Sequence, residues 1–191
     1  MAHASRVRLD RAALSLLRLR YPFSPWHSSS PNSTRPYRKQ LADLVTGLGP
    51  QTVVEVGCGL GGILSRIKAK TRIGYDAEAA AIAAALFLHG RSIEFHVGSF
   101  DEVRRSPIDV LIAVNWLHDF APDQVRNWIE PLVSNVRYLL VDRIKPNARS
   151  DYRYSHDFAF LRARARSIEF NGLDEPDRDF ILWEIIPPAT S

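Results

Sequence analysis

Apolar residues in this chain fall into short runs that alternate with longer stretches of helical spacing. Runs rich in β-branched and aromatic residues predict strands at about Thr52–Val56, Thr71–Tyr75, Ile93–Val97, Asp109–Val114, Val136–Asp142, Arg166–Phe170 and Phe180–Ile186. Between them, helical patterns fit Gly62–Lys70, Ala77–Leu88, Pro122–Val133 and Asp151–Ala163. Strands apolar on both faces and separated by helices of this length predict an α/β fold, a doubly wound and mostly parallel sheet with helices on both faces. The segment "NGLDEPDR" is too short for a parallel crossover, so the last two strands should form an antiparallel hairpin.

Upstream, "RVRLDRAALSLLRLR" at residues 6–20 puts Leu9, Ala13, Leu16 and Leu17 on one helical face and Arg8, Arg11, Ser15 and Arg18 on the other. An amphipathic helix packed on the body is expected. Pro22, Pro25, Pro31 and Pro36 then punctuate a serine-rich stretch that suits a linker or lid, and a further helix should run from about Tyr37 to Leu48 before Gly49–Pro50. Two regions follow: residues 1–40, a basic helix with a Pro/Ser-rich lid or linker, and residues 41–191, the α/β domain.

At 191 residues there is room for one such domain and no second substrate domain. The formal charge is +4, and residues 1–39 hold Arg6, Arg8, Arg11, Arg18, Arg20, Arg35, Arg38 and Lys39 against Asp10 alone. A basic arm of this kind meets nucleic acid, an anionic membrane or an acidic substrate, or is a solvated helix face. Its arginine-rich, acid-poor character also fits a mitochondrial presequence. Cys58 is the single cysteine, which leaves no intrachain disulfide and fits a reducing cytoplasm. No apolar run approaches the ~20 residues of a membrane helix.

The candidate chemistry centres on "VVEVGCGLGG", Val53 to Gly62. Gly57, Gly59 and Gly62 spell the GxGxxG of dinucleotide binding, whereas Gly57, Gly59 and Gly61 spell GxGxG behind Glu55. A strand running through a glycine turn into a helix offers backbone N–H groups and a helix dipole to a ligand. Asp76, at the end of the next strand, suits the ribose of either cofactor, or caps the following helix. Glu55 separates the two: a buried carboxylate beside the turn would repel a pyrophosphate but suits a ligand carrying an ammonium and a sulfonium. Gly98, Ser99 and Phe100 can line an adenine slot, although Phe100 also reads as core. Cys58 reads as a small residue in a tight turn.

With these residues the sequence resembles the class I S-adenosylmethionine-dependent methyltransferases, whose sheet is Rossmann-like. "VVEVGCGLGG", "IGYDAEA", "HVGSFDEV" and "IDVLIAVNWLHDF" resemble their four motifs in order and spacing, over roughly Leu41 to Ile186. The resemblance implies that S-adenosylmethionine is the cofactor. Glu55, Gly57 and Gly59 would then hold its methionine part, Asp76 the ribose diol, and Ala77, Ser99 and Phe100 the adenine. Ser99 stands where the family often has an acid.

Methyl transfer is an in-line displacement, so such an enzyme mainly aligns the acceptor and removes its proton. After the fourth strand comes "NWLHDF", where Asn115 joins the cofactor candidates and His118 is the leading general base, with pocket lining or helix capping as its other reading. "DRIKPNARSDYRYSHDFAFL" supplies Asp142, Arg143, Tyr152, Tyr154, His156 and Asp157. On the predicted helix Tyr152 and His156 would share a face. His156 is the second catalytic candidate; Tyr37, Tyr152, Tyr154 and Asp157 are substrate candidates, and Tyr37 or Arg38 could reach the cofactor carboxylate. No His or carboxylate spacing suggests a metal site.

The expected activity is methylation of a small polar acceptor, on oxygen since "AVNWL" replaces the NPPY-type motif, and a sugar-like acceptor would suit the Tyr, His, Asp and Arg content. The alternatives are an RNA or protein methyltransferase that grips phosphates through the basic arm and "LRARAR" at 161–166, and a non-catalytic cofactor-binding protein. A nicotinamide oxidoreductase ranks below these.

Overall fold

The computed structural model describes residues 2–29, 34–149, 152–168 and 175–186. Seven strands form one sheet: β1 (Thr52–Val56), β2 (Thr71–Asp76), β3 (Glu94–Val97), β4 (Ile108–Ala113), β5 (Val136–Ile144), β6 (Ala165–Ile168) and β7 (Arg178–Ile185). Their spatial order is β3-β2-β1-β4-β5-β7-β6. The first five strands pair in parallel, whereas β7 is antiparallel to both β5 and β6. This is the expected mixed sheet with its C-terminal hairpin. Part of the expected strand Arg166–Phe170 and the first half of "NGLDEPDR" lie outside the described residues.

Side chains of the central strands alternate between two cores. Val54, Val56, Leu111 and Ala113 pack with Val125 and Ile129 of helix α5 (Pro122–Ile129) on one face. Val53, Val110 and Ile112 pack on the other with Leu41 and Val45 of α3 (Tyr37–Gly47), and with Ile82 and Ala85 of α4 (Ala79–His89). The pleat therefore aims Glu55 at the face covered by α3, where the neighbouring positions are apolar.

Three helical expectations need correction. Over Gly62–Lys70 only Leu64–Arg66 closes, as a 3-10 turn. Ile63, Leu64 and Ile67 are buried while Arg66, Lys68 and Lys70 stay exposed, and the chain must return at once to pair Thr71 with Thr52, which leaves no length for further helical turns. The helix-dipole argument at the glycine turn loses its helix. Over Asp151–Ala163 the described residues run without helix from Tyr152 to Phe158, then make a 3-10 turn at Ala159–Leu161. Tertiary hydrogen bonds from Tyr154 N–H to the His118 carbonyl and from Ser155 Oγ to the Ile144 carbonyl replace helical ones there, and Phe158 turns the chain at φ +50°. Finally, α1 (Ala2–Arg20) is a helix but does not bury the expected apolar stripe. Leu9 and Leu16 are 71% and 68% exposed, while Leu17 packs against the cluster around Phe23. The Pro/Ser-rich stretch holds one short helix, α2 (Pro25–Ser29).

Candidate active site

The glycine turn leaves β1 through Gly57 (φ +73°), Gly59 (φ +52°) and Gly61 (φ +72°), conformations that favour residues without a Cβ. The N–H groups of Gly57 and Cys58 both donate to the Tyr75 carbonyl, at 2.8 and 3.0 Å, tying the turn to β2. Space is also scarce. A Cβ on Gly57 would lie 2.2 Å from Trp116 Nε1, which donates to the Val56 carbonyl at 2.8 Å, and a Cβ on Gly59 would lie 2.9 Å from His27 Nδ1. The two glycines admit aromatic side chains of the protein itself. Cys58 is buried beneath the turn, and burial pushes its thiol well above the ordinary range, so it stays protonated and unreactive.

Beside the turn opens a cavity of about 810 Å³, whose wall includes Glu55, Gly57, Gly59, Tyr37, Arg38 and Asn115. Glu55 is 4% exposed and its Oε2 atom has no hydrogen-bond partner. Burial raises its pKa from 4.5 to about 8; the Arg38 guanidinium and a backbone hydrogen bond at Leu64 offset part of that rise. A buried acceptor in this state suits an incoming cation, which would supply the missing partner.

Asp76 is tied to the turn from the end of β2. Its Oδ2 accepts from Gly59 N–H at 2.8 Å and its Oδ1 from Glu78 N–H at 2.9 Å. A carboxylate has about four acceptor positions, so it retains capacity for a hydroxyl pair. Glu78 in turn accepts from the backbone N–H of Ser24 and meets His27 Nε2 at 3.1 Å, fastening α2 over the turn. Burial keeps the His27 proton affinity below normal despite the nearby Asp76 and Glu78.

The adenine candidates sit apart from this cavity. Ala77 is exposed, and Ser99 caps a 3-10 turn in a reciprocal pair with Glu102. Phe100 is 2% exposed, with its ring 5.5 Å from that of Trp116 and 5.8 Å from that of Trp128.

Beyond the carboxyl ends of β4 and β5 lies a polar cluster built around a residue that was not among the sequence candidates. Arg178, at the start of β7, is 5% exposed. Its Nη1 donates to Asp142 Oδ2 at 2.8 Å and to Asn115 Oδ1, and its Nη2 donates to the Tyr152 hydroxyl at 2.9 Å. Burial opposes the cation, but Asp142 and Tyr152 more than offset this, and its proton affinity is raised. Asn115 adopts φ +73°, tolerable for Asn, and its N–H donates to Asp142 Oδ1 at 2.9 Å. Antiparallel pairing of β7 with β5 sets Arg178 opposite Ile144, near Asp142. In the sequence Arg178 closes the connecting segment "NGLDEPDR" before the strand expected at Phe180–Ile186, and only the fold shows that it opens β7 beside Asp142.

His118 packs edge-on against Tyr152 with ring centroids 4.7 Å apart, and its buried Nδ1 has no partner. Burial lowers its pKa, so the imidazole is neutral at pH 7. It stands behind the Tyr152–Arg178–Asn115 network. His156, buried on the extended segment, approaches the Leu117 carbonyl through Nε2 at 2.9 Å and so holds the turn carrying His118. Tyr37 is buried and stacked on Phe180 at 5.1 Å; Tyr154 and Asp157 are exposed. Among the described residues no three His, Cys, Asp or Glu side chains gather as a metal site, and no helix is long and apolar enough to cross a membrane.

Solved structures share this architecture. The magnesium protoporphyrin IX methyltransferase of Synechocystis PCC 6803, solved with bound SAM, superposes with a TM-score of 0.62 at 14% identity, covering 85% of each chain. N-methyltransferase NodS of Bradyrhizobium japonicum WM9, solved with S-adenosyl-L-homocysteine, superposes with a TM-score of 0.67 at 17% identity, covering 80% of this chain and 87% of its own. The chain has the class I methyltransferase fold. No protein-family model matches the sequence, and neither does any curated protein. In this class I fold, the strand order reverses between β1 and β4, so the glycine turn and Asn115 flank the switch point where open α/β sheets receive their ligands.

Proposed function

We propose that the protein is an S-adenosylmethionine-dependent methyltransferase that methylates a small polar acceptor on oxygen. Buried Glu55 carries this reading, because a partnerless carboxyl oxygen at a glycine turn within a class I methyltransferase fold suits the ammonium of an amino-acid nucleoside. The cofactors named for the two related structures support it. When bound, S-adenosylmethionine supplies a sulfonium methyl group open to in-line attack.

Glu55 would hold its ammonium, Arg38 its carboxylate, and Asp76 its ribose hydroxyls, while Gly57 and Gly59 keep the backbone close. Ser99 and Phe100, on the turn after β3, and Ala77 would flank the adenine end where it extends beyond the cavity. Asn115, locked by Asp142 and Arg178, fixes the wall facing the acceptor. His118 is the proposed general base, since a neutral imidazole with a partnerless Nδ1 can accept a hydroxyl proton. His156 acts as a positioning residue through the Leu117 carbonyl. Calorimetric titration with S-adenosylmethionine, S-adenosylhomocysteine and NAD tests the reading: the two adenosyl amino acids should bind, and binding of NAD alone would sink it.

A further inference from the structure

One guanidinium on the cavity wall lacks a counter-charge. Arg35 is half-buried, donates from Nη1 to the Tyr37 hydroxyl at 3.4 Å and lies over the Trp26 ring at 4.8 Å. Among the described residues it forms no ion pair with a carboxylate. Burial disfavours its charge, Tyr37 offsets part of that cost, and the like charges of Arg38 and Arg178 add to it. A half-buried guanidinium without a carboxylate partner is stabilised by an incoming anion.

The local backbone adds to the same potential. Helix α3 starts at Tyr37 with Pro36 at its N-cap; no side chain caps it, and the Arg35 and Pro36 carbonyls accept from the N–H groups of Arg38, Lys39 and Gln40. That is the positive end of an 11-residue helix. Two carboxylates, Asp10 and Glu55, are on the cavity wall. Glu55 is mostly protonated at neutral pH, and among the described residues Asp10 forms no ion pair with Arg35.

The two arginines on this turn serve different sides. Arg38 is coupled to Glu55, on the side assigned to the cofactor. Arg35 donates to the Tyr37 hydroxyl, and the Tyr37 ring stacks on Phe180, two residues along β7 from Arg178, whose Nη1 holds Asn115. We propose that Arg35 binds an anionic group of the methyl acceptor, a carboxylate or a phosphate monoester, which makes the acceptor class a small anion rather than a neutral polyol. This rests on the methyltransferase reading above. Arg35 thereby sets specificity, while Asn115 and Arg178 shape the adjoining wall.

The test is calorimetric titration of inorganic phosphate, acetate and neutral xylitol, at constant chloride, into protein saturated with S-adenosylhomocysteine. Phosphate or acetate should bind, and which one binds identifies the anionic group; xylitol should not. Arg35→Gln should weaken the anion about tenfold or more, the loss expected for a charge-assisted contact. Arg35→Lys should restore it to within about threefold, which separates loss of charge from loss of fold. Arg38→Gln should weaken S-adenosylhomocysteine and spare the anion. The proposal is overturned if neither anion binds, if Arg35→Gln binds as well as the wild type, or if S-adenosylhomocysteine displaces the anion, since Arg35 would then serve the cofactor carboxylate. Should S-adenosylhomocysteine fail to bind the wild type, the methyltransferase reading falls. Anion titration of the free protein then judges the Arg35 site by the same comparison of variants.

Discussion

Replacing Glu55 by Gln removes a charge and keeps the shape, and the buried position makes its consequences calculable. With a pKa of about 8, only about one tenth of the free protein carries the ionised carboxylate at pH 7. The unfolded chain releases this proton near 4.5, so between 4.5 and about 8 the folded state binds more protons and stability falls as pH rises. At about 1.36 kcal/mol per unit, the stability lost by pH 7 is of order 3 kcal/mol, and Glu55→Gln should abolish that slope in urea melts. Binding an ammonium restores the charged form, which predicts release of about 0.9 proton per S-adenosylhomocysteine at pH 7. The apparent affinity should tighten about twenty-fold from pH 6 to pH 7.5, following the ionised fraction. Calorimetry in two buffers of different ionisation enthalpy measures the proton directly. In Glu55→Gln the release should vanish and binding weaken about tenfold to a hundredfold. No proton release from the wild type, with unchanged affinity in the variant, would refute Glu55 as the ammonium partner.

Three further changes probe the rest of the site. His118→Asn should leave S-adenosylhomocysteine affinity unchanged and lower turnover about a hundredfold once an acceptor is in hand; because burial depresses the imidazole pKa, the acid limb of the wild-type profile should begin below pH 6.5. Gly57→Ala forces a Cβ to within 2.2 Å of the Trp116 indole at a positive φ, and should cost about 2–4 kcal/mol in denaturant melts. Arg178→Ala strands Asp142, which is 3% exposed, and should cost about 3–5 kcal/mol, with Asp142→Asn in the same background recovering part of it.

The strands were readable because their signal is local. The central parallel strands β1, β4 and β5 are largely apolar on both faces, and the pairing registers from Thr52↔Thr71 to Ala113↔Val141 fall where those runs align. Helices near the site were less so. Spacing alone gives Gly62–Lys70 and Asp151–Ala163 helical character, but the first must return at once to pair Thr71 with Thr52 and the second is held by hydrogen bonds to His118 and Ile144, residues that only the sheet brings near. Likewise the apolar stripe of α1 stays largely in solvent, because only Leu17 reaches a partner cluster around Phe23.

The glycine motif shows a subtler gap between pattern and cause. A GxG turn was expected because a ligand must approach the backbone, yet the nearest groups to Gly57 and Gly59 are Trp116 and His27. His27 is fastened by Glu78, two residues beyond Asp76, so the arm before the domain, the glycine turn and the end of β2 form one hydrogen-bonded unit. Glu55 keeps a buried carboxyl oxygen with no partner among the described residues, and Arg35 on the wall of the same cavity is its cationic counterpart. The first could be read from sequence, since a carboxylate in an apolar strand is anomalous wherever it occurs. The second could not: an arginine in a Pro-rich, basic segment looks solvated until the fold sets it among Trp26, Tyr37 and Arg178, with no carboxylate paired to it among the described residues.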